Sequence, residues 1–350
     1  VYGALLSYAS DPMKKAQYPT AFRKAWSSFQ SYNLDEQVDL RSLAIVDIGD
    51  VAIDSTNRML SESAIEAAAE NLSIAYQKSF TCLIGGDHAI TACSLRGIKN
   101  AFPNERIGII QLDTHLDARN QVDIGLAMNS PIHQLIASGV VEGKHMYNVG
   151  LHGFFNSPEM IYYAREQGIH MITLKQMRRD GIQLTIREML RQLMYEVDRI
   201  YVSVDLDALD IPFAPDVPAA TPGGLTAYEL FDILKLIGEN EGVRHIDFIY
   251  PDPKQNELRL ETVKTGVTAF LQWLTGIQLD HRNRISRKEK AGYGASLQQV
   301  KGKSAVQAVS PVDTAKKEYE AMRRRVIWSF VFTIPLFYLP YRRFPSSKQQ

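Results

Sequence analysis

Three short segments of the chain gather acidic and imidazole side chains. They are Gly85-Gly86-Asp87-His88, Asp113-Thr114-His115-Leu116-Asp117 and Asp205-Leu206-Asp207-Ala208-Leu209-Asp210. In an extended chain, residues two apart share a side. Asp113, His115 and Asp117 can therefore face one point, and so can Asp205 and Asp207. Carboxylates that close repel unless something neutralises them. A divalent cation does so, and two cations suit these five groups together with His88. Two imidazoles with four carboxylates and no thiolate favour Mn²⁺ over Zn²⁺ or Fe²⁺. Two such ions about 3.5–4 Å apart would share a water and lower its pKa toward about 7. The chemistry would be hydrolysis of a carbon electrophile or a phosphate. Each segment alone has a plainer reading, as a strand-to-helix turn or a helix cap. Three such clusters at three strand-to-helix junctions exceed what capping requires.

Those clusters need elements that deliver them to one place. Short apolar runs at 43–48, 80–84, 107–112, 146–149, 169–174, 200–204 and 243–249 predict strands. Between most of them lie helical patterns. Residues 61–78 are rich in Ala and Glu and open on Ser61 and Glu62. Residues 182–197 repeat apolar side chains at helical spacing. Thr226 reads as the N-cap of 227–240, with Glu229 completing a capping box. Segments 157–167 and 260–277 also read as helices. Alternating strands and helices predict an α/β fold, a parallel sheet covered on both faces. In such sheets functional groups gather at the carboxyl ends of strands. All three clusters follow predicted strands.

The 350 residues carry 39 Lys and Arg and 39 Asp and Glu. Residues 281–350 hold 15 basic against 4 acidic groups, and residues 1–280 hold 24 against 35. A neutral total therefore hides an acidic body and a basic tail. A hydrophobic content of 45% excludes global disorder. Two cysteines, Cys82 and Cys93, exclude a disulfide-rich secreted scaffold and a thiolate zinc site. No signal-peptide pattern opens the chain, and a cytoplasmic location is expected. The organisation expected is a body over 1–280, a basic flexible linker over 281–325 and an apolar segment over 326–341. As a helix, that segment would span roughly 24 Å, short of the ~30 Å hydrocarbon core. Arg323-Arg324-Arg325, Arg342-Arg343, Trp328, Tyr338 and Tyr341 suit a membrane surface. The tail is expected to be disordered, to associate at most weakly with membrane and to take no part in catalysis. No nucleic-acid partner is expected.

On these residues the chain resembles the ureohydrolase family: arginases, agmatinases and formimidoylglutamases. The motifs GGDHAIT (85–91), DTHLDAR (113–119) and SVDLDALD (203–210) carry the resemblance, with the loop APDVPAATPGG (214–224). It covers residues 20–278. Stretches 108–119, 140–157 and 222–230 resemble the formimidoylglutamase branch in particular. The resemblance implies a three-layer α/β/α fold with a mostly parallel eight-stranded sheet, and two Mn²⁺ per subunit. It implies one ion on His88, Asp113, Asp117 and Asp205, and another on Asp113, His115, Asp205 and Asp207. Asp117 would also carry a proton to the leaving nitrogen, and Asp210 would orient the following loop. The implied reaction is attack of a metal-bridging hydroxide on an amidine or guanidine carbon. In the formimidoylglutamase branch N-formimidoyl-L-glutamate gives L-glutamate and formamide, a step of histidine degradation. A homo-oligomer is expected.

Three departures from the family concern the substrate side. The family places a Glu, in a Val-Glu-x-x-Pro context, beside the substrate's cationic group. Here Tyr250 takes that position, and a phenol carries no charge near neutral pH. Asp252 and Asp247 are the candidates to replace it. In the loop after Asp117, Met128 stands where His or Asn is expected; a shift of one residue gives the role to Asn129. His133 stands where Arg is common. It would bind a substrate carboxylate when protonated, or else be an exposed helix histidine. Residues 13–26 lack the family's glycine loop, leaving Lys14, Lys15 or Arg23 as cationic contacts. The leading expectation is therefore a formimidoylglutamate hydrolase. The alternatives are another ureohydrolase of agmatinase or guanidinobutyrase type, a metal-binding paralogue with weak or no activity, and a binuclear metallophosphatase.

Overall fold

The computed structural model describes residues 1–7, 16–54, 56–118, 130–217, 219–249 and 260–300, with side chains as far as residue 285. The strands are β1 (Tyr2–Ala4), β2 (Tyr32–Asn33), β3 (Val38–Asp39), β4 (Thr81–Gly85), β5 (Ile107–Leu112), β6 (Met146–Leu151), β7 (His170–Thr173), β8 (Arg199–Asp205) and β9 (Val243–Ile249). The helices are α1 (Tyr18–Trp26), α2 (Arg58–Ala75), α3 (Ala89–Ala101), α4 (Pro131–Ala137), α5 (Pro158–Glu166), α6 (Leu174–Asp180), α7 (Ile182–Glu196), α8 (Ala227–Gly238) and α9 (Leu260–Val300). The chain divides into two units, Val1–Ser286 and Arg287–Gln350. The seven-stranded sheet and the acidic clusters lie in the first.

Seven strands form one sheet in the order β1-β4-β9-β8-β5-β6-β7, and every pairing in it is parallel. Parallel strands buried on both faces read as unbroken apolar runs, which is why 107–112 and 243–249 were legible. On one face α1, α6, α7, α8 and α9 pack against Ile84, Ile110, Val202, Val204 and Phe248. On the other, α2, α3, α4 and α5 pack against Leu83, Ile107, Ile109 and Met146. The result is the three-layer α/β/α architecture.

The sheet has seven strands where eight were expected, and residues 43–48 explain the difference. They are not a strand. The segment nevertheless runs beside β1: Val1 N donates to Val46 O, Ile48 N to Val1 O and Val51 N to Gly3 O. Gly49 adopts φ +82°, a left-handed conformation open to glycine. That kink breaks the extended run, leaving one isolated bridge between Gly3 and Asp50. The apolar side chains of this edge, Val46 and Ile48 among them, stay exposed.

Helix ends follow local chemistry. Thr226 and Glu229 form the expected capping box at α8. α2 starts earlier than expected, because Asn57 rather than Ser61 accepts from the first turn, at Leu60 N. Ser61 instead lies buried inside that turn and donates to Asp54 O at 2.7 Å. α9 continues to Val300, so the first twenty residues of the 281–325 span have helical backbone. Among the described residues no helix is long and apolar enough to cross a membrane. Residues 326–341 lie outside the described residues.

α2 and α3 touch through backbone at Gly97, where an added Cβ would lie 2.1 Å from Glu66 O. Gly to Ala inside a helix ordinarily stabilises by about 1 kcal/mol. Gly97→Ala is expected to reverse that sign and destabilise by about 1–3 kcal/mol, because backbone must move. Denaturant unfolding measures it, and a stabilised variant would contradict the close packing.

Candidate metal centre

The three acidic segments converge at one edge. Asp113 directly follows β5, Asp205 ends β8, and His88 lies between β4 and α3. β9 lies between β4 and β8, so these strand ends adjoin along the sheet's carboxyl edge. β8 and β5 are also where the winding reverses, the place in open α/β sheets where ligands bind.

His88 Nδ1 lies 2.8 Å from Asp117 Oδ2, 3.5 Å from Asp205 Oδ2 and 3.6 Å from Asp113 Oδ2. His115 Nδ1 lies 2.8 Å from Asp207 Oδ2 and 3.4 Å from Asp113 Oδ1. Two groups of ligand atoms result, each within 4.8 Å of one another: His88, Asp113 and Asp205, and Asp113, His115 and Asp207. They share Asp113. Asp205 is tied to the second group because its Oδ1 accepts from Asp207 N at 2.9 Å. Asp117 reaches His88 from a backbone at φ +45°. Asp tolerates that left-handed conformation better than most residues, at a cost on the order of 1–2 kcal/mol.

Neutral polar groups hold this cluster. Gln111 Nε2 donates to Asp113 Oδ2 at 2.6 Å, and Asn148 Nδ2 to His115 O at 2.7 Å. Thr114 Oγ1 donates to Asp207 O at 2.9 Å. Asn156 spans the peptide groups around His115, donating to Thr114 O and accepting from Leu116 N. The Phe155 ring meets the His115 ring edge-on. The sequence reading missed these partners. The available signal was a polar side chain at alternate positions of an otherwise apolar strand, as at Gln111 and Asn148.

Burial and mutual repulsion set the charges. Burial first, then Asp207, pushes the Asp113 carboxyl up to about 6. Asp205 is pushed well above the usual carboxylate range by burial and by Asp207 and Asp113. Burial alone would lower both imidazoles. For His88 the carboxylates of Asp117, Asp205 and Asp113 outweigh it and raise the pKa well above the usual value. For His115, hydrogen bonds to Asp113 and Asp207 outweigh it and raise the pKa to about 11. Protons on the imidazoles thus supply the counter-charge when no cation does.

The donor set fits a divalent cation. It combines carboxylate oxygens and imidazoles without thiolate, the set suited to Mn²⁺. His88 Nδ1 is buried and close to three carboxylate oxygens, yet forms no well-directed hydrogen bond to any of them. That is the geometry of an atom facing an ion.

The substrate-side positions fall differently. Asn129 and Tyr250 lie outside the described residues, as do Met128, Asp252, Lys14 and Lys15. Ile249, the last described residue before Tyr250, pairs with Asp205. His133 sits on α4 with its ring tilted over Tyr163 of α5, centroids 5.0 Å apart. Asp210 Oδ1 accepts from Gly223 N at 3.1 Å, and its own N–H donates to Leu225 O, joining the two ends of the loop around 214–224. Two suggested contacts are corrected. Asp247 is fully buried and accepts from Thr91 and Tyr201, so it is not offered to a substrate. Arg23 is engaged by Asp47 and Asp50.

A three-layer α/β/α fold with buried carboxylates and imidazoles at the carboxyl edge of its parallel sheet has the groups to hold divalent cations. Residues 4–275 match the Arginase family, and the chain belongs to that family. It is 32% identical to a formimidoylglutamase of Halalkalibacterium halodurans over 275 residues, 78% of this chain and 85% of that one. It is 29% identical to a formimidoylglutamase of Bacillus subtilis over 278 residues, 79% of this chain and 86% of that one. The crystal structure of formimidoylglutamase from Bacillus subtilis superposes with a TM-score of 0.74 at 28% identity, covering 79% of this chain and 86% of that one. A crystal structure of Trypanosoma cruzi formiminoglutamase with Mn²⁺ shares the fold, with a TM-score of 0.71 at 22% identity, covering 79% of this chain and 92% of that one.

A cation must displace the imidazole protons, so Mn²⁺ binding is expected to release protons and to tighten as pH rises from mildly acidic to mildly alkaline. Calorimetry in two buffers of different ionisation enthalpy checks this, and equal heats would contradict it. The His115 contribution to metal-free stability has the opposite dependence. It is full below the ordinary value of 6.5 and is lost as pH rises toward about 11.

Proposed function

We propose that this protein is a binuclear-manganese hydrolase of a linear amidine C–N bond, converting N-formimidoyl-L-glutamate and water to L-glutamate and formamide. The observation that carries the proposal is the pair of ligand groups sharing Asp113. The similarity to formimidoylglutamases over 78% of the chain supports the substrate. The Trypanosoma cruzi formiminoglutamase crystallised with Mn²⁺ supports the metal. His88, Asp113, Asp117 and Asp205 would hold one ion, and Asp113, His115, Asp205 and Asp207 the other. Two bound divalent ions supply positive charge and make water a nucleophile near neutral pH.

The chain's own residues do the rest. Asp117 accepts the proton of the attacking water and delivers it to the leaving nitrogen, so glutamate departs as an amine. Asn129 contacts the substrate in the place of the family's loop His or Asn, and His133 binds a substrate carboxylate. Tyr250 offers its phenol to the amidine where other members of the family place a Glu. Asp210 keeps the 214–224 loop in place. The protein works in the cytoplasm as a homo-oligomer in histidine degradation. The body extends over 1–280, and the tail beyond it, a linker to 325 and an apolar segment over 326–341, contributes at most weak membrane association.

The replacement of that Glu by Tyr250 favours a second reading, a metal-binding paralogue with weak or no activity, or one acting on another guanidine. A turnover panel with Mn²⁺ separates them. Formimidoylglutamate is expected to be hydrolysed faster than agmatine, arginine or guanidinobutyrate. Metal binding without turnover of any of the four would leave the paralogue. Asp117→Asn is expected to lower kcat by about 10²–10⁴-fold, the range for a lost general acid–base. Tyr250→Glu is expected to shift preference toward the guanidines, and an unchanged panel would remove residue 250 from the substrate pocket.

A further inference from the structure

We infer that Asp247, Thr91 and Ser203 are positioning residues that fix which nitrogen of His88 carries hydrogen, so that Nδ1 meets a cation with its lone pair. The inference rests on the reading of His88 as a metal ligand.

β8 reads Arg-Ile-Tyr-Val-Ser-Val-Asp and is buried along its whole length. Ile200, Val202 and Val204 enter the apolar layer beneath α8 and α9. Tyr201, Ser203 and Asp205 therefore share the opposite face, the one under α3. Ser203 is the register partner of Asp247 on β9. Thr91 lies one helical turn after His88, so both side chains point at this face. Four polar groups thus meet in a place closed to solvent, where each hydrogen must have a defined direction.

The direction follows from counting donors. Asp247 Oδ2 accepts from Tyr201 OH at 2.7 Å and from Thr91 Oγ1 at 2.7 Å. A threonine hydroxyl has one hydrogen, and Asp247 takes it. Toward Ser203 Oγ, 3.3 Å away, Thr91 can then only accept. The Thr91–Asp247 pair takes the single hydrogen of Ser203, since Asp247 also accepts from it. Toward His88 Nε2, 3.2 Å away, Ser203 can then only accept, so Nε2 must carry the hydrogen. A neutral imidazole with hydrogen on Nε2 has its lone pair on Nδ1. Nδ1 is the atom facing Asp113, Asp117 and Asp205. Metal-binding histidines commonly donate their other N–H to an outer partner. Here the relay has three links and ends on a buried carboxylate. Without the Thr91 hydroxyl, Ser203 keeps only Asp247 to draw its hydrogen away from Nε2, and the hold on that hydrogen weakens. That favours the opposite tautomer, which presents N–H to the ion. The relay does not reach His115.

The test measures Mn²⁺ binding to the full chain by competition with a chelator, alongside the melting temperature of the metal-free protein. Thr91→Val keeps the shape and removes the hydroxyl. It is expected to weaken one of two ions about 10–100-fold, the range for lost outer partners, and to leave the other unchanged. Thr91→Ser keeps the hydroxyl but removes a buried methyl, and is expected to bind both ions as the wild type does despite a lower melting temperature. If affinity instead follows packing, with Val like wild type and Ser weak, the inference is overturned. Equal weakening of both ions also overturns it. Should Thr91→Val not fold, Ser203→Ala removes the direct partner of His88 and is expected to weaken the same single ion; unchanged binding there counts against the relay. A wild-type chain that binds fewer than two Mn²⁺ would overturn the functional reading instead.

Discussion

Buried negative charge is the constraint on which the rest of this structure depends. Asp113, Asp205 and Asp207 are almost wholly removed from water, and Asp113 is fully so. Each buried ion carries a desolvation penalty of several kcal/mol unless paired. The fold supplies two imidazoles to that cluster, and two divalent cations would complete the neutralisation. The sheet order answers the same constraint. By inserting β8 and β9 between β4 and β5, it brings distant segments of chain to one edge.

The two faces of the sheet are not alike. The layer with α1, α6, α7, α8 and α9 is apolar throughout its contact with β8 and β9. The layer under α3 carries hydroxyls and a carboxylate through the core, from Tyr201 and Asp247 to His88. A fully buried polar network is stabilising only when every member is satisfied. That requirement makes the positions interdependent. On the substrate side, Asn129 and Tyr250 lie outside the described residues.

Much of this was legible in the sequence. The strands at 107–112 and 243–249 were visible as apolar runs, and the Asp and His residues declared a common point through spacing alone. Thr226 and Glu229 fixed a helix start by a local rule. What stayed hidden depended on pairing between distant segments. The run at 43–48 has the composition of a strand, but a left-handed Gly49 and an edge position decide otherwise. Ser61 looked like a cap because its type suits one, yet Asn57 comes first in the chain and takes the role. Asp247 looked available for a substrate because sequence alone does not reveal that Tyr201 and Thr91 close over it. The alternation of Arg199, Tyr201, Ser203 and Asp205 in a buried strand was the readable sign that one face of the sheet is polar. The charge split also has a physical form: the acidic groups of the body include the cluster at the sheet edge.

The most direct measurement is anomalous diffraction at the manganese edge from crystals grown with Mn²⁺. Two peaks about 3.5–4 Å apart are predicted, one among His88, Asp113 and Asp205 and the other among Asp113, His115 and Asp207. A single peak, or peaks away from Asp113, would contradict a shared two-ion centre.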